Sequence, residues 1–339
     1  MPNRNELIFL QNLPLEIKIL KSQQRIREWV KHFGTDGVYV SFSGGKDSTV
    51  LLYLVRELYP DIEAVFVNTG LEYPEIQQFV KTFDNVKILY PEMSFKNVIS
   101  NHGYPILSKF IAHKIDSARR GLTWVNKYFD GIATTKTGRL SLYNIKKYKP
   151  LINADFNISP KCCDVMKKNP LRKYEKESKK IPIIATMASE SKTRLSSWLQ
   201  TGCNAFESKN KISKPLSFWR ETDILEYIYN NNIKIANVYG FIANDCYGQL
   251  AFDNCGCRFY TTGCDRTGCI FCGFGAHLEK GEGRFQKLKR THPKQYNFCI
   301  NGGHYDKSGI WKPNNEGLGM GHVFDELNKL YGEDFIPYK

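Results

Sequence analysis

"VYVSFSGGKDSTV", residues 38–50, sets a short apolar run, two adjacent glycines and a second apolar run in line. Val38 to Phe42 reads as a buried strand, and Thr49 to Leu58 as a helix. Between them, Gly44 and Gly45 let the backbone approach an anion closely, and the helix that follows offers unpaired N–H groups. Ser43 and Ser48 add hydroxyl groups and Lys46 adds a positive charge, so these parts make either a pyrophosphate cradle or simply a tight strand-to-helix turn. The loop of kinases and GTPases requires G-x-x-x-x-G-K-[ST]; adjacent glycines, with Lys46 followed by Asp47, fail that pattern.

Outward from the loop, Ile19, Ile26, Val30 and Phe33 fall near helical spacing and stop at Gly34. "AVFVNTG" at 64–70, "VKILY" at 86–90 and "IPIIATMA" at 181–188 read as strands. Helices are expected from Pro74, through "SESKTRLSSWL" at 189–199, and through "ETDILEYIYNN" at 221–231. Strands and helices alternating in this way predict an α/β, doubly wound, mostly parallel sheet, with ligands at the carboxyl ends of its strands. The expected division is an N-terminal helix (1–35), an α/β domain (36–230) with inserted helices and loops (101–150), and a Cys-rich carboxyl-terminal region (231–339) packed on it.

The 339 residues are 42% hydrophobic, enough for a large core, and carry a net charge of +14, which favours an anionic partner or marks an uninvolved basic surface. The amino terminus lacks the apolar stretch of a signal peptide and no run approaches membrane-spanning length, so a cytoplasmic protein without a membrane partner is expected. In that compartment ten cysteines point to metal ligands or reactive thiols rather than disulfides.

The order strand, S-G-G-K-D-S, helix resembles the PP-loop of the ATP pyrophosphatase superfamily, whose members cleave ATP between the α and β phosphates or bind an adenylyl compound there. Within it, "VNTGLEYPE" (67–75), "KCCDVMKKNPL" (161–171), "ASESKTR" (188–194) and "PLSFWRETDILEYI" (215–228) are similar in order and type to motifs of the phosphoadenosine phosphosulfate reductase family. Adenylylsulfate reductases and DNA phosphorothioation proteins are its relevant branches, and the implied fold is that of adenine nucleotide alpha hydrolases. The resemblance implies an adenine-nucleotide site at Ser43, Gly44, Gly45, Lys46, Asp47, Ser48, Thr69, Gly70 and Glu190. It also implies ATP with magnesium, Asp47 serving the metal directly or through water. Lys46 and Arg194 would neutralise the departing pyrophosphate, unless Arg194 is a surface salt bridge.

Family members that use adenylylsulfate hold a cubane iron–sulfur cluster through a Cys-Cys pair and a later C-x-x-C, which implies Cys162, Cys163, Cys269 and Cys272 here. Cys255, Cys257 and Cys264 crowd the same carboxyl-terminal stretch, so a local zinc site shared with Cys269 and Cys272 is the alternative, and unligated thiols the third. Cys203, Cys246 and Cys299 read as buried or free cysteines. The family's reductases carry a nucleophile in a tail motif E-C-G-[LI]-H that has no match here, so a reductase would need Cys299 or a partner's thiol.

The expected function is therefore an adenylating, iron–sulfur-dependent enzyme of sulfur transfer, acting on DNA or tRNA with a sulfur-donor protein. The alternatives are a sulfonucleotide reductase that makes sulfite and a non-catalytic nucleotide-binding subunit. Lys161–Lys180 and Lys280–Lys294 each carry a net +5, either to track a phosphate backbone or as solvated helix faces. Trp124, Tyr128 and Phe129 either stack bases or pack internally. His292, His304 and His322 read as structural histidines, ligands or general bases.

Overall fold

The computed structural model describes residues 2–245 and 258–339. The chain divides into two compact units, the first taking residues 1–68, 72–90 and 170–267, the second 69–71, 91–169 and 268–339. The stretch 231–339 is thus shared between the units, and the 101–150 insertion belongs to the second.

In the first unit, α1 (Arg4–Gln11) is capped by Asn3, whose side chain accepts the Glu6 N–H at 2.9 Å. Helix α2 (Leu15–Phe33) ends at Gly34, and then β1 (Val38–Ser41), α3 (Lys46–Leu58), β2 (Ala64–Val67), α4 (Pro74–Val80) and β3 (Val86–Leu89) follow in alternation. After the second unit's inserted segment come α5 (Asn169–Ser178), β4 (Ile181–Ile184), α6 (Lys192–Thr201), β5 (Asn204–Ala205), β6 (Ile212–Ser213) and α7 (Glu221–Asn230). The sheet order is β3-β2-β1-β4-β6-β5, parallel except for the β5–β6 pair.

Such a sheet needs apolar residues on both faces of its central strands. Val38, Tyr39 and Val40 of β1, and Ala64, Val65 and Phe66 of β2, are all buried, against Val50, Leu51, Leu54 and Val55 of α3. Each of the buried Val, Leu and Phe side chains contributes about 1.5–3 kcal/mol on burial. Helix α3 starts three residues before the apolar periodicity: Gly45 is its N-cap, and its carbonyl accepts the Thr49 N–H at 2.9 Å. A polar first turn is invisible to hydrophobic periodicity. Lys18 of α2 and Asp223 of α7 form a buried pair with both carboxylate oxygens at 2.7 Å, which fixes the two helices in register. Removing one partner of such a pair costs about 3–5 kcal/mol.

The second unit holds helices Phe95–His102, Lys109–Arg119, Arg284–Thr291, Pro293–Ile300 and Met320–Tyr331. Its strands are short: Ile106–Leu107 pairs in parallel with Gly273–Phe274, and His304–Tyr305 forms a hairpin with Trp311–Lys312. Among the described residues, no helix is long and apolar enough to cross a membrane.

Candidate functional site

Strand β1 has β2 on one side and β4 on the other, so the chain reverses its direction of winding there. Crevices at such switch points are where open α/β sheets bind ligands, and the Ser43–Ser48 loop leaves β1 at that point. Gly44 sits at φ +71°, and a Cβ on it would lie 2.8 Å from methyl groups of Ile76 and Val80, so the turn excludes a side chain. The loop is tied internally. The Ser43 N–H donates to Ser48 Oγ at 3.1 Å, the two hydroxyls lie 3.0 Å apart, and Ser48 Oγ donates to the Gly45 carbonyl at 2.9 Å.

Lys46 is buried, yet its ammonium is not idle. It donates to the Asp265 carbonyl at 2.7 Å and pairs with Glu221 at 2.8 Å. The Lys46 N–H points at the Tyr239 hydroxyl at 3.3 Å, which is 2.5 Å from Thr267 Oγ1. Burial pushes the Tyr239 phenol up to about 12, so it stays a neutral donor and acceptor.

Asp47 is the next residue of α3. Burial raises its carboxyl above the usual range, Lys46, Arg266 and Arg194 pull it back, and Glu221 adds to the rise. Its Oδ1 is sealed from solvent and has no hydrogen-bond partner. Glu190, in the turn after β4, accepts from the Met187 N–H at 2.9 Å and clamps two cations, Arg194 of α6 and Arg266, the latter at 2.8 Å. Burial, then the neighbouring Arg266, lowers the pKa of the Arg194 guanidinium. A cleft of about 1060 Å³ opens over this group, lined by Lys46, Asp47, Glu190, Arg220, Glu221 and Arg266, with Arg4, Leu7 and Ile8 of α1 on its wall. In chemical terms this arrangement can seat a polyanion, with a buried carboxylate oxygen that has no hydrogen-bond partner beside it.

The expected residues Ser43 to Ser48, Glu190 and Arg194 are thus gathered in the first unit. Thr69 and Gly70 group with the second, where Thr69 Oγ1 accepts the Leu71 N–H at 3.1 Å and Gly70 sits at φ +71°. Arg266, Glu221, Tyr239 and Arg4 are site residues that sequence reasoning missed. Arg266 pairs with a residue 76 positions away, so no local spacing marks it.

Cys162, Cys163, Cys269 and Cys272 all fall in the second unit and perturb one another's ionisation. The hydrogen bond from Cys162 holds the Cys163 thiol well below the usual thiol range, helped by Lys109 and Lys167 and opposed by burial. The same bond, with burial, drives Cys162 up, and burial raises Cys272. In donor chemistry the set suits a thiolate-held metal group. Even so, among the described residues no three Cys, His, Asp or Glu side chains converge closely enough to hold a metal ion. Of the alternative ligands, Cys264 is buried in the first unit, its N–H bonded to the Val238 carbonyl at 2.9 Å. Cys255 and Cys257, with Cys246, lie outside the described residues.

Cys203 accepts from Ser217 Oγ at 3.3 Å, and Cys299 is fully buried with its thiol 3.4 Å from the Met320 sulfur. His322 Nε2 lies 2.8 Å from Asp155 and His292 Nδ1 2.8 Å from Thr291 Oγ1, while His304 is exposed on the hairpin. Phe129 is buried packing, Tyr128 is half-buried and Trp124 is exposed.

Fold and site together define an α/β protein with a glycine loop at the switch point of its mostly parallel sheet. The chain belongs to the phosphoadenosine phosphosulfate reductase domain family, which matches residues 37–105 and 132–273. It is 24% identical over 264 residues to an uncharacterised protein of Methanocaldococcus jannaschii, covering 77% of this chain and 46% of that one. It is 28% identical over 146 residues to the phosphoadenosine 5'-phosphosulfate reductase of Xylella fastidiosa, covering 38% of this chain and 61% of that one. The chain therefore spans about half to three fifths of the length of these curated relatives. Among solved structures, the phosphoadenylyl-sulfate reductase of Candida auris in its phosphate complex aligns with 70% of this chain and 91% of that one, at 14% identity and a TM-score of 0.38.

Proposed function

We propose that this chain binds ATP with magnesium, cleaves it between the α and β phosphates and adenylates an acceptor, a nucleic acid or related anion, for sulfur transfer. The observation that carries the reading is Asp47 Oδ1, sealed and unpartnered at the start of α3 within reach of Lys46, Arg194 and Arg266. A carboxylate in that position suits a metal-bound polyphosphate better than an empty turn.

In this reading Ser43, Gly44, Gly45 and Ser48 cradle the leaving phosphates, and Glu190 serves nucleotide binding. An acceptor oxygen bonds to the α phosphorus, its proton passes to solvent, and the α–β bond breaks to release pyrophosphate. Lys46 exchanges Glu221 for phosphate, and Arg194 and Lys46 neutralise the charge that develops on the leaving group. Asp47 would hold magnesium, which supplies further neutralisation. Cys162, Cys163, Cys269 and Cys272 would hold a cubane cluster, which supplies a redox-active centre for sulfur chemistry; the sulfur of a sulfur-donor protein then displaces AMP from the activated acceptor.

A second reading, reduction of a sulfonucleotide to sulfite, is favoured by the name of the Xylella relative. It is disfavoured by Cys299, whose fully buried thiol burial pushes well above its usual pKa. Anaerobic incubation with α-labelled ATP and a pool of tRNA or DNA separates the two readings. AMP and pyrophosphate are expected; ADP with phosphate, or thiol-dependent sulfite from adenylylsulfate, overturns the proposal.

A further inference from the structure

The two basic runs visible in the sequence are partly neutralised by their own neighbours. Lys168 pairs with Asp164, Lys180 with Glu63, Arg284 with Glu279 and Arg290 with Glu282. A different segment keeps its charge. Between Arg119 and Lys149 there are eight basic residues and one acidic, and that single carboxylate, Asp130, is already paired with Lys149 at 2.8 Å. Lys127, Lys136, Arg139, Lys146 and Lys147 are exposed and have no carboxylate partner among the described residues.

The same segment exposes rings. Trp124 is 47% and Tyr143 63% exposed. Both are held from behind. The buried Lys114 ammonium lies 4.0 Å from the ring centres of Trp124 and Tyr128, and Phe110 packs against Tyr128 and Tyr143 at 5.7 and 5.4 Å. Each outer ring is thus fixed on one side and open to solvent on the other. A turn closed by the Thr135 N–H donating to the Arg139 carbonyl at 2.7 Å, beside the Thr134–Leu140 bridge, presents Lys136 and Arg139 between these rings in sequence.

Fixed, half-open aromatic rings interleaved with unpaired cations are what a flexible polyanion with flat bases requires: phosphates meet the cations and bases stack on the rings. A lipid surface fits less well. Ile132, Leu140 and Leu142 are exposed too, but they lie in a loop, at a single bridge and in a turn rather than along one helix face; the helix that carries Trp124, Thr123–Val125, is too short to lie in an interface, and Lys109–Arg119 buries its apolar residues Ile111, Ala112 and Ile115. We infer that the 119–149 segment of the second unit is a docking surface for single-stranded nucleic acid, read through Trp124 and Tyr143 and held through Lys127, Lys136 and Arg139. This deepens the proposed function, on which it rests for the identity of the acceptor.

The test is fluorescence anisotropy of labelled single-stranded RNA and DNA oligonucleotides of mixed sequence with the full chain, in the absence of ATP, over a salt series. Binding is expected to weaken with salt and to quench tryptophan fluorescence. Tyr143→Ala should weaken it about tenfold, the range of one lost base stack. Lys136→Glu with Arg139→Glu should weaken it at least as much and flatten the salt dependence by about 0.7 for each phosphate no longer neutralised. These positions are exposed, so the variants should keep the parent melting temperature; Trp124→Phe, which retains a ring over Lys114, should bind nearly as well as the parent. Binding unchanged in both Tyr143→Ala and the Lys136→Glu, Arg139→Glu variant overturns the inference, as does capture by phosphatidylserine vesicles with none by oligonucleotides. Because no ATP is present, failure here is separable from failure of the adenylation reading, which the labelled-ATP experiment decides.

Discussion

The Lys46 ammonium, in the loop's own helix, lies 2.8 Å from the Glu221 carboxylate at the start of α7. Lys46 is nearly inaccessible there, whereas the Glu221 side chain is half-exposed, so the lysine is held ready by a partner that water can take over. Glu221→Gln is expected to tighten ATP binding about three- to tenfold by freeing that charge, while Lys46→Ala weakens it by a larger factor. Titration calorimetry with a non-hydrolysable ATP analogue measures both. Weaker binding in Glu221→Gln would show that the carboxylate serves the nucleotide rather than competing with it.

Asp47 carries a stability consequence with a definite sign. Its carboxyl pKa is raised in the folded chain above the unfolded value, so the folded state holds the proton to higher pH. Stability from this group is therefore greatest below the unfolded pKa of about 3.9 and is lost as pH rises through the raised folded value. At neutral pH the buried charge is a net cost. Asp47→Asn should accordingly stabilise the first unit by about 1 kcal/mol in thermal melts at neutral pH while abolishing pyrophosphate release. Activity of the parent should fall as pH drops through the raised pKa, because only the ionised carboxylate serves a metal. A variant that is less stable at neutral pH would sink this account.

Much of the first unit was legible in the sequence because its signals are local. "VYVSF" is a central strand because every residue of it through Val40 is buried, and the glycine pair marks the switch-point turn in one glance. What was not legible depends on distant partners. Arg266 gains its meaning from Glu190, Tyr239 from the Lys46 N–H, and Arg4 from a cleft whose other walls lie far along the chain. The charge runs left two readings open for a related reason. A count along the chain cannot see that Glu63 cancels Lys180, or that Lys136 has no carboxylate partner among the described residues.

For the thiols, the expected outcome concerns metal retention. Substituting any one of Cys162, Cys163, Cys269 and Cys272 by Ser should strip iron and visible absorbance from anaerobically purified protein, since these four share one unit and one electrostatic neighbourhood. Cys264→Ser and Cys203→Ser should retain both, since neither belongs to the proposed set and the Cys203 thiol already accepts from Ser217 Oγ. Zinc in place of iron, or metal loss on Cys264→Ser, would move the site to the alternative set. Chelation should leave ATP binding at the Ser43–Ser48 loop measurable, since none of its contacts is a cysteine.

Cys299 is this chain's own candidate nucleophile for the reductase reading, which otherwise needs a partner's thiol. Its thiol is wholly enclosed beside Met320, and burial alone lifts its pKa, so at neutral pH it is a small apolar core group rather than a thiolate. Attack on a sulfonucleotide would require the thiol to leave the core and ionise, two costs that nothing described around it offsets. Cys299→Ala should lower stability by about 1 kcal/mol, as a small cavity does, and leave the rate of pyrophosphate release unchanged. Cys299→Ser, which buries a hydroxyl beside a thioether, should be less stable than Cys299→Ala. Were both variants instead to abolish a thiol-dependent release of sulfite, the buried position would have to open during turnover, and the reductase reading would replace adenylation.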